Sequence, residues 1–186
     1  MPELQRLVMP GASLGGARPK SLIHIDGDPW LVKFSEGEDF DMPLVVHAAM
    51  DLARLCGVDV AATRALPVVV GHAVAVRRFD RIGPARLHAV SAHVALHAAG
   101  EELGYPQLSQ LLRRVAPAAD IHGQQARLFG LKPDAARAVV SEVAAKVAGW
   151  KEEFTAKGVA AADIELLAQY LDGDKLRHQR DAFLPG

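Results

Sequence analysis

The residues best suited to bind a ligand are a glycine-rich stretch near the start of the chain and a lysine that follows it. Residues 9–20 read MPGASLGGARPK, and Lys33 lies in the apolar run WLVKF from Trp30 to Phe34. Glycines let the backbone approach a ligand closely, and successive N–H groups in such a turn form an anion-binding nest. A lysine on the next strand would meet phosphate as a point charge. The pattern therefore predicts a phosphate-binding loop with its lysine.

Both features also have ordinary structural interpretations. Ser13, within the loop, is of the type that hydrogen-bonds nearby backbone as a turn or cap hydroxyl. Lys33 would equally suit a strand at the edge of a sheet, with its stem covering apolar surface. From these residues alone, the two interpretations stay open.

Histidines raise the question of a metal site. His93 and His97 have the i, i+4 spacing of two ligands on one helix face, but no glutamate stands between them in the HExxH manner and no third ligand is near. Packing or surface roles are favoured, and we predict no metal site.

The elements that must position Lys33 are predicted from turns and periodicity. Lys20–Asp26 and residues 30–34 flank Gly27-Asp28-Pro29, which predicts a hairpin that places Lys33 opposite the glycine loop. An amphipathic helix follows over Pro43–Cys56, closed by Gly57 and expected to pack behind the lysine strand. Residues 58–80 predict a second hairpin around Gly71, with Pro67 at an edge or a kink.

From residue 84 onward, the pattern is helical. Helices are predicted over Ala89–Leu103 and Tyr105–Val115, the latter with an apolar stripe of Leu108, Leu111, Leu112 and Val115. Another runs from Pro133 to Lys157, with Val139, Val140, Val143, Val147 and Trp150 on one face. A last helix covers Ala160–Leu171, and the polar tail from Asp174 is expected to fray.

Composition narrows the class of protein. Lysine and arginine number 21 against 22 acidic residues, so charge does not predict nucleic-acid binding, and Arg77, Arg78 and Arg81 are expected to be solvated or paired. Cys56 is the only cysteine and fits a buried thiol in a reducing compartment. With no apolar run long enough to cross a bilayer and no signal peptide, we expect a cytoplasmic protein.

Five segments occur here in an order that resembles the HipA-type toxin kinases: SLGGARPK, WLVKFSE, HAAMDLARLCGV, VRRFDR and FGLKPDAARAVVSEVAAKVAGW. The resemblance implies an α+β, kinase-like fold with a small mixed β lobe, residues 1–83, and an all-helical lobe, residues 84–186. It also implies a serine/threonine protein kinase of a toxin-antitoxin system that uses ATP and Mg²⁺, with a HipB-like helix-turn-helix antitoxin as its partner.

The same resemblance assigns a nucleotide site. The hinge between the lobes would fall at Val76 to Phe79, with both of these side chains lining the purine, and Ser13 matches a serine that such kinases can autophosphorylate. The residues implied to bind nucleotide are Ser13, Leu14, Gly15, Gly16, Ala17, Lys33, Val76 and Phe79.

Parts of the family pattern are missing. A catalytic loop of the type N-x-D-D-H-x-x-N and a metal-binding aspartate should follow the helix that ends near Val115, but the chain passes through AADIHGQQARLFG instead. Asp120 and His122 do not make that loop. Val46 stands where the lysine-binding glutamate is expected, and we expect the N-terminal subdomain of the family to be absent. The helical lobe therefore carries an internal deletion, and no catalytic residue is assigned.

Two function classes remain open. The first is a degenerate kinase domain, with weak ATP binding and without phosphoryl transfer unless an unrecognised acid such as Asp80 or Asp120 replaces the lost base. The second is a non-catalytic module that binds a HipB-like antitoxin or an intact kinase. Valine-rich faces over Ala135–Trp150, uncovered by the deletion, predict self-association.

Overall fold

The computed structural model describes residues 20–83, 85–115 and 133–184 of the chain. Their strands are β1 (Lys20–Ile25), β2 (Asp28–Lys33), β3 (Thr63–Pro67), β4 (His72–Arg77), β5 (Arg81–Ile82) and β6 (Ala85–Arg86). Their helices are α1 (Met42–Leu55), α2 (Ala92–Ala98), α3 (Tyr105–Val115), α4 (Pro133–Ala148), α5 (Trp150–Ala156), α6 (Ala161–Leu171) and α7 (Asp174–Asp181). The mixed α+β class predicted from the sequence is confirmed. None of these helices is long and apolar enough to cross a membrane.

Four strands form an antiparallel sheet in the order β1-β2-β4-β3. The predicted first hairpin is confirmed, but its turn is Asp26-Gly27, with φ of 54° and 84°, and Asp28 and Pro29 already belong to β2. Asp-Gly is the pair that a tight two-residue hairpin favours, because both central residues need positive φ. The turn prediction was therefore displaced by one residue.

The second hairpin is also confirmed. β3 and β4 flank the loop at Gly71, and Pro67 is the last residue of β3, at the edge of the sheet, as expected. β4 pairs with both β2 and β3 and also contacts α1, and its Ala73, Val74 and Ala75 are all at most 2% exposed.

Helix α1 lies on this sheet, against β3 and β4. Asp41 caps its N-terminus by accepting a hydrogen bond from the backbone N–H of Leu44, and Gly57 follows its end with a φ of 81°. The predicted helix and its terminating glycine are thus confirmed, but the helix packs mainly on β3 and β4, whereas it was expected behind the lysine strand, β2. The capping aspartate satisfies one of the N–H groups that the first turn leaves open.

The described residues form two compact units. The first contains the strands, α1 and residues 142–184; the second contains residues 87–115 and 133–141. In the first unit, α1 shares a core with the C-terminal helices: Leu44 and Ala48 pack with Trp150, Phe154 and Ile164. In the second, α2 contacts α3, with Leu96 and Leu111 buried. The predicted lobes, 1–83 and 84–186, stay a prediction.

Several helix predictions need correction. The helix expected over Ala89–Leu103 is only α2, because Ser91 caps its start and Gly100, with a φ of 68°, ends it. Val115 of the predicted stripe is 65% exposed. The helix expected to reach Lys157 is interrupted at Gly149, which separates α4 from α5.

Of the two C-terminal predictions, one is confirmed and one is wrong. α6 confirms the helix predicted to end at Leu171. The tail expected to fray instead forms α7, whose Arg180 is hydrogen-bonded to Asp172 at 2.9 Å. This ion pair ties the polar helix to the end of α6.

Candidate functional site

Lys33 is the last residue of β2 and its side chain is exposed. In the sheet register it lies between Lys20 of β1 and Val74 of β4, and Val74 pairs in turn with Ala65 of β3. Directly opposite residues share one face of a sheet. Ala65 packs into the core around α1, so Lys33 lies on the face that carries the helix. We call this side the helix face of the sheet.

The glycine-loop residues proposed to act with this lysine, Ser13, Leu14, Gly15, Gly16 and Ala17, lie outside the described residues, as do Asp120 and His122. Lys20, which ends the SLGGARPK motif, is the first residue of β1 and pairs with Lys33. The register therefore joins the end of the motif to the lysine strand.

No carboxylate partner for Lys33 is found among the described side chains. Val46 is half-buried and cannot accept a hydrogen bond. Asp51, the acidic residue within α1, is bound instead by Arg54 and by Lys157, whose Nζ is 2.5 Å from Oδ2. Burial acts to raise the pKa of Asp51, but the hydrogen bonds from Lys157 and Arg54 outweigh it and lower that pKa.

His47, beside Val46, is a packing residue. Its Nδ1 and the Oγ1 of Thr63 are 2.8 Å apart in a hydrogen bond between α1 and β3. Burial lowers the pKa of His47, and Lys157 and Arg54 act in the same direction, against the effect of Asp51. The imidazole is thus favoured in its neutral form.

A carboxylate-imidazole pair that sequence reasoning missed lies on the helix face. Nδ1 of His72, the first residue of β4, is 2.6 Å from Oδ2 of Asp41, the capping residue of α1. The Asp-Met-Pro sequence at the start of α1 is a recognisable N-cap signal. Its pairing with His72, 31 positions away, has no local signal.

The two residues predicted to contact a purine differ in their position and in their exposure. Val76 is a half-buried residue of β4, paired with Leu31 and Thr63, whereas Phe79 lies in the turn beyond the strand and is 73% exposed. Their contact with a purine stays a prediction. The arginines nearby are paired, as predicted: Arg77 with Asp28, and Arg78 and Arg81 with Asp80.

Asp80 has no free carboxylate oxygen to serve as a base. Arg78 donates to both of its oxygens, at 2.7 and 2.5 Å, and Arg81 donates to Oδ2 at 3.1 Å. The Arg78 hydrogen bond lowers the pKa of Asp80 to about 2. A carboxylate held in its ionised form by two guanidinium groups is a poor proton acceptor, so Asp80 does not suit the role of a replacement base.

His93 and His97 face each other on α2, with ring centroids 6.4 Å apart. Across residues 20–83, 85–115 and 133–184, no three histidine, cysteine, aspartate or glutamate side chains converge in a way that would hold a metal ion. The described residues therefore supply no cluster of three ligands for Mg²⁺, and we assign no step to that ion.

Comparison with known proteins supports the resemblance noted in the sequence. The model of the HipA-like C-terminal domain matches residues 12–132, which is well over half of the chain and includes most of the glycine-rich stretch, β1–β4 and α1–α3. Searches of curated proteins and of solved structures return no match. On the family match, the chain belongs to the HipA-like C-terminal domain family.

Proposed function

We propose that this chain is a degenerate kinase-like domain that binds the phosphates of a nucleotide weakly and does not transfer them. The observation that carries the proposal is the placement of Lys33: an exposed lysine on the helix face of the sheet, paired in register with the last residue of the SLGGARPK motif. An ammonium group there would meet phosphate held by the glycine loop.

Loss of transfer activity follows from the parts that are missing. Phosphoryl transfer depends on positioning the acceptor and stabilising charge on the phosphates, for which kinases use a catalytic aspartate, metal ligands and a lysine–glutamate pair. Val46 replaces the glutamate, and Asp80 is engaged by two arginines. Ser13 would then be phosphorylated only in trans, by an intact relative.

A second function is a binding module for a HipB-like antitoxin or an intact kinase. It is favoured by exposed apolar side chains in the second compact unit, Leu87, Val90 and Val94, which are 44%, 53% and 55% exposed. The alternative to partner binding is self-association of the chain through α4, where the apolar side chain of Val140 is 42% exposed. Light scattering after size exclusion separates the two, because only self-association yields a dimer of the purified chain.

Calorimetric titration with ATP and Mg²⁺ tests the principal proposal. Wild-type chain should bind, and Lys33→Ala should weaken binding at least about tenfold, the loss expected when a hydrogen bond to a charged group is removed. Lys175→Ala is the matched control, because it removes an exposed lysine of α7. Absence of binding by the wild type, or equal effects of the two substitutions, would refute a nucleotide site at Lys33.

A further inference from the structure

The Asp41–His72 pair lies in the first compact unit and is held by hydrogen bonds that involve α1, β4 and α6. Oδ1 of Asp41 accepts from the N–H of Leu44 at 3.3 Å, while Oδ2 is 2.6 Å from the His72 imidazole. The backbone N–H of Asp41 donates to Oδ2 of Asp163 in α6 at 3.2 Å. The Asp41 carboxylate thus caps α1 and orients His72 of β4, and the backbone of Asp41 is fixed by α6.

Gly71 makes room for this pair. A Cβ at Gly71 would stand 3.1 Å from Oδ2 of Asp41, and the residue has a φ of 69°, which L side chains rarely adopt. The glycine therefore allows the carboxylate to approach the start of β4 closely.

His72 neighbours Lys33 on the sheet. Lys33 pairs with Val74, and His72 precedes Val74 by two residues on the same strand, so both side chains lie on the helix face as diagonal neighbours. Diagonal Cα atoms in such a pair are about 7–8 Å apart, within the reach of long side chains. A group bound by the Lys33 ammonium is therefore within range of the imidazole.

The carboxylate determines what the ring can offer. An ionised carboxylate only accepts hydrogen bonds, so Nδ1 of His72 carries the proton. Nε2 has no partner among the described side chains, and the His72 side chain is 29% exposed. With Nδ1–H taken by Asp41, the ring is held in a fixed direction and Nε2 is the atom left for a second group. In an imidazolium, that nitrogen donates its N–H to an anionic oxygen.

We propose that His72, oriented by Asp41, is a second ligand for a phosphate group bound at Lys33. The inference rests on the proposed function, since it extends the same site. Phosphate of this kind could belong to a nucleotide or to a free polyphosphate, and both present the same oxygens to the two side chains.

The test is a calorimetric titration of the full chain with ATP–Mg²⁺ and, separately, with inorganic tripolyphosphate. His72→Gln should weaken binding of either ligand about tenfold, as removal of one charged hydrogen bond does. His24→Gln, at the far end of β1, is the matched control, because it removes another histidine of the same sheet face. Asp41→Asn keeps a capping oxygen for α1 while it removes the acceptor for Nδ1–H, and should weaken binding as well.

Ring ¹⁵N shifts of His72 provide a readout that a purely structural role would not move. Addition of tripolyphosphate should shift the Nε2 resonance of His72 and leave that of His24 in place. Binding that Lys33→Ala weakens but His72→Gln does not would overturn this inference and leave the nucleotide site standing. Failure of the wild type to bind either ligand would overturn both. If the chain binds tripolyphosphate but not ATP–Mg²⁺, the anion site at His72 stands and the proposal that its ligand is a nucleotide is refuted.

Discussion

Asp172 is the residue on which the C-terminal helices converge. Its Oδ1 accepts hydrogen bonds from the Trp150 indole at 3.1 Å and from Arg180 at 2.9 Å, and Lys151 is 3.0 Å from Oδ2. Burial acts to raise the pKa of Asp172, but these donors outweigh it and lower the pKa to about 2 from its usual 3.8. The group therefore stabilises the fold in its ionised form.

We expect Asp172→Asn to lower the free energy of unfolding by about 1–2 kcal/mol near neutral pH, because Trp150, Lys151 and Arg180 then lose their charged acceptor. Since the folded-state pKa is depressed, the stabilisation is present above the unfolded value near 4 and is lost as pH falls towards 2. Urea unfolding across that range measures both effects, and the variant should show less loss on acidification than the wild type.

Asp174→Asn is the control for this prediction. Asp174 pairs with Arg177 at 2.9 Å, but its side chain is 98% exposed, and exposed pairs contribute about 0–1 kcal/mol. An equal loss of stability in the two variants would show that the Asp172 cluster contributes no more to the free energy of unfolding than an exposed ion pair does.

At the scale of elements, two glycines that end or separate helices should respond to alanine in opposite directions. Gly149, between α4 and α5, has a φ of −89°, and an added Cβ would make only ordinary contacts, the nearest at 3.7 Å. Gly149→Ala should therefore raise the free energy of unfolding by about 0.5 kcal/mol, through the smaller entropy of the unfolded chain.

Gly158, after α5, supplies the contrast. Nothing lies within 4 Å of its added Cβ, but its φ is 84°. Gly158→Ala should cost about 1–2 kcal/mol, the penalty of a left-handed conformation for an L residue. Denaturant titration of both variants checks the signs, and stabilisation at Gly158 would contradict the backbone geometry described above.

For the whole molecule, the decisive feature is the core that α1 shares with α5 and α6. Trp150 and Phe154 are 1% and 3% exposed and pack edge to face at 5.2 Å. A chain ending at residue 148 loses both, together with Ile164, and should fail to unfold cooperatively, because each large buried side chain contributes several kcal/mol. Thermal unfolding followed by circular dichroism measures this.

A chain ending at residue 173 is the matched truncation. It loses α7, whose described residues contribute no buried side chain, but keeps the shared core, so it should unfold cooperatively with a lower midpoint. Cooperative unfolding of the chain that ends at 148 would mean that the sheet and α1 are stable alone.

Local signals in the sequence determined both hairpins, α1 and α6. Alternating polarity, glycine at positive φ and three- or four-residue apolar spacing act within a few positions, and each segment meets these requirements by itself. Lys33 was found in the same way, from an apolar strand that carries one lysine. The helix errors at Gly149 and α7 arose where neighbours, rather than periodicity, decide whether a helix stops or forms.

Only the tertiary structure decided which residues meet. The placement of β4 between β2 and β3 brings His72 beside Lys33, and the docking of α1 brings Asp41 to His72, across 31 positions of sequence. The packing of Trp150 against α1 likewise joins residues 142–184 to the sheet. Such contacts depend on how all the elements share one core, and no residue pattern within a single segment records that arrangement.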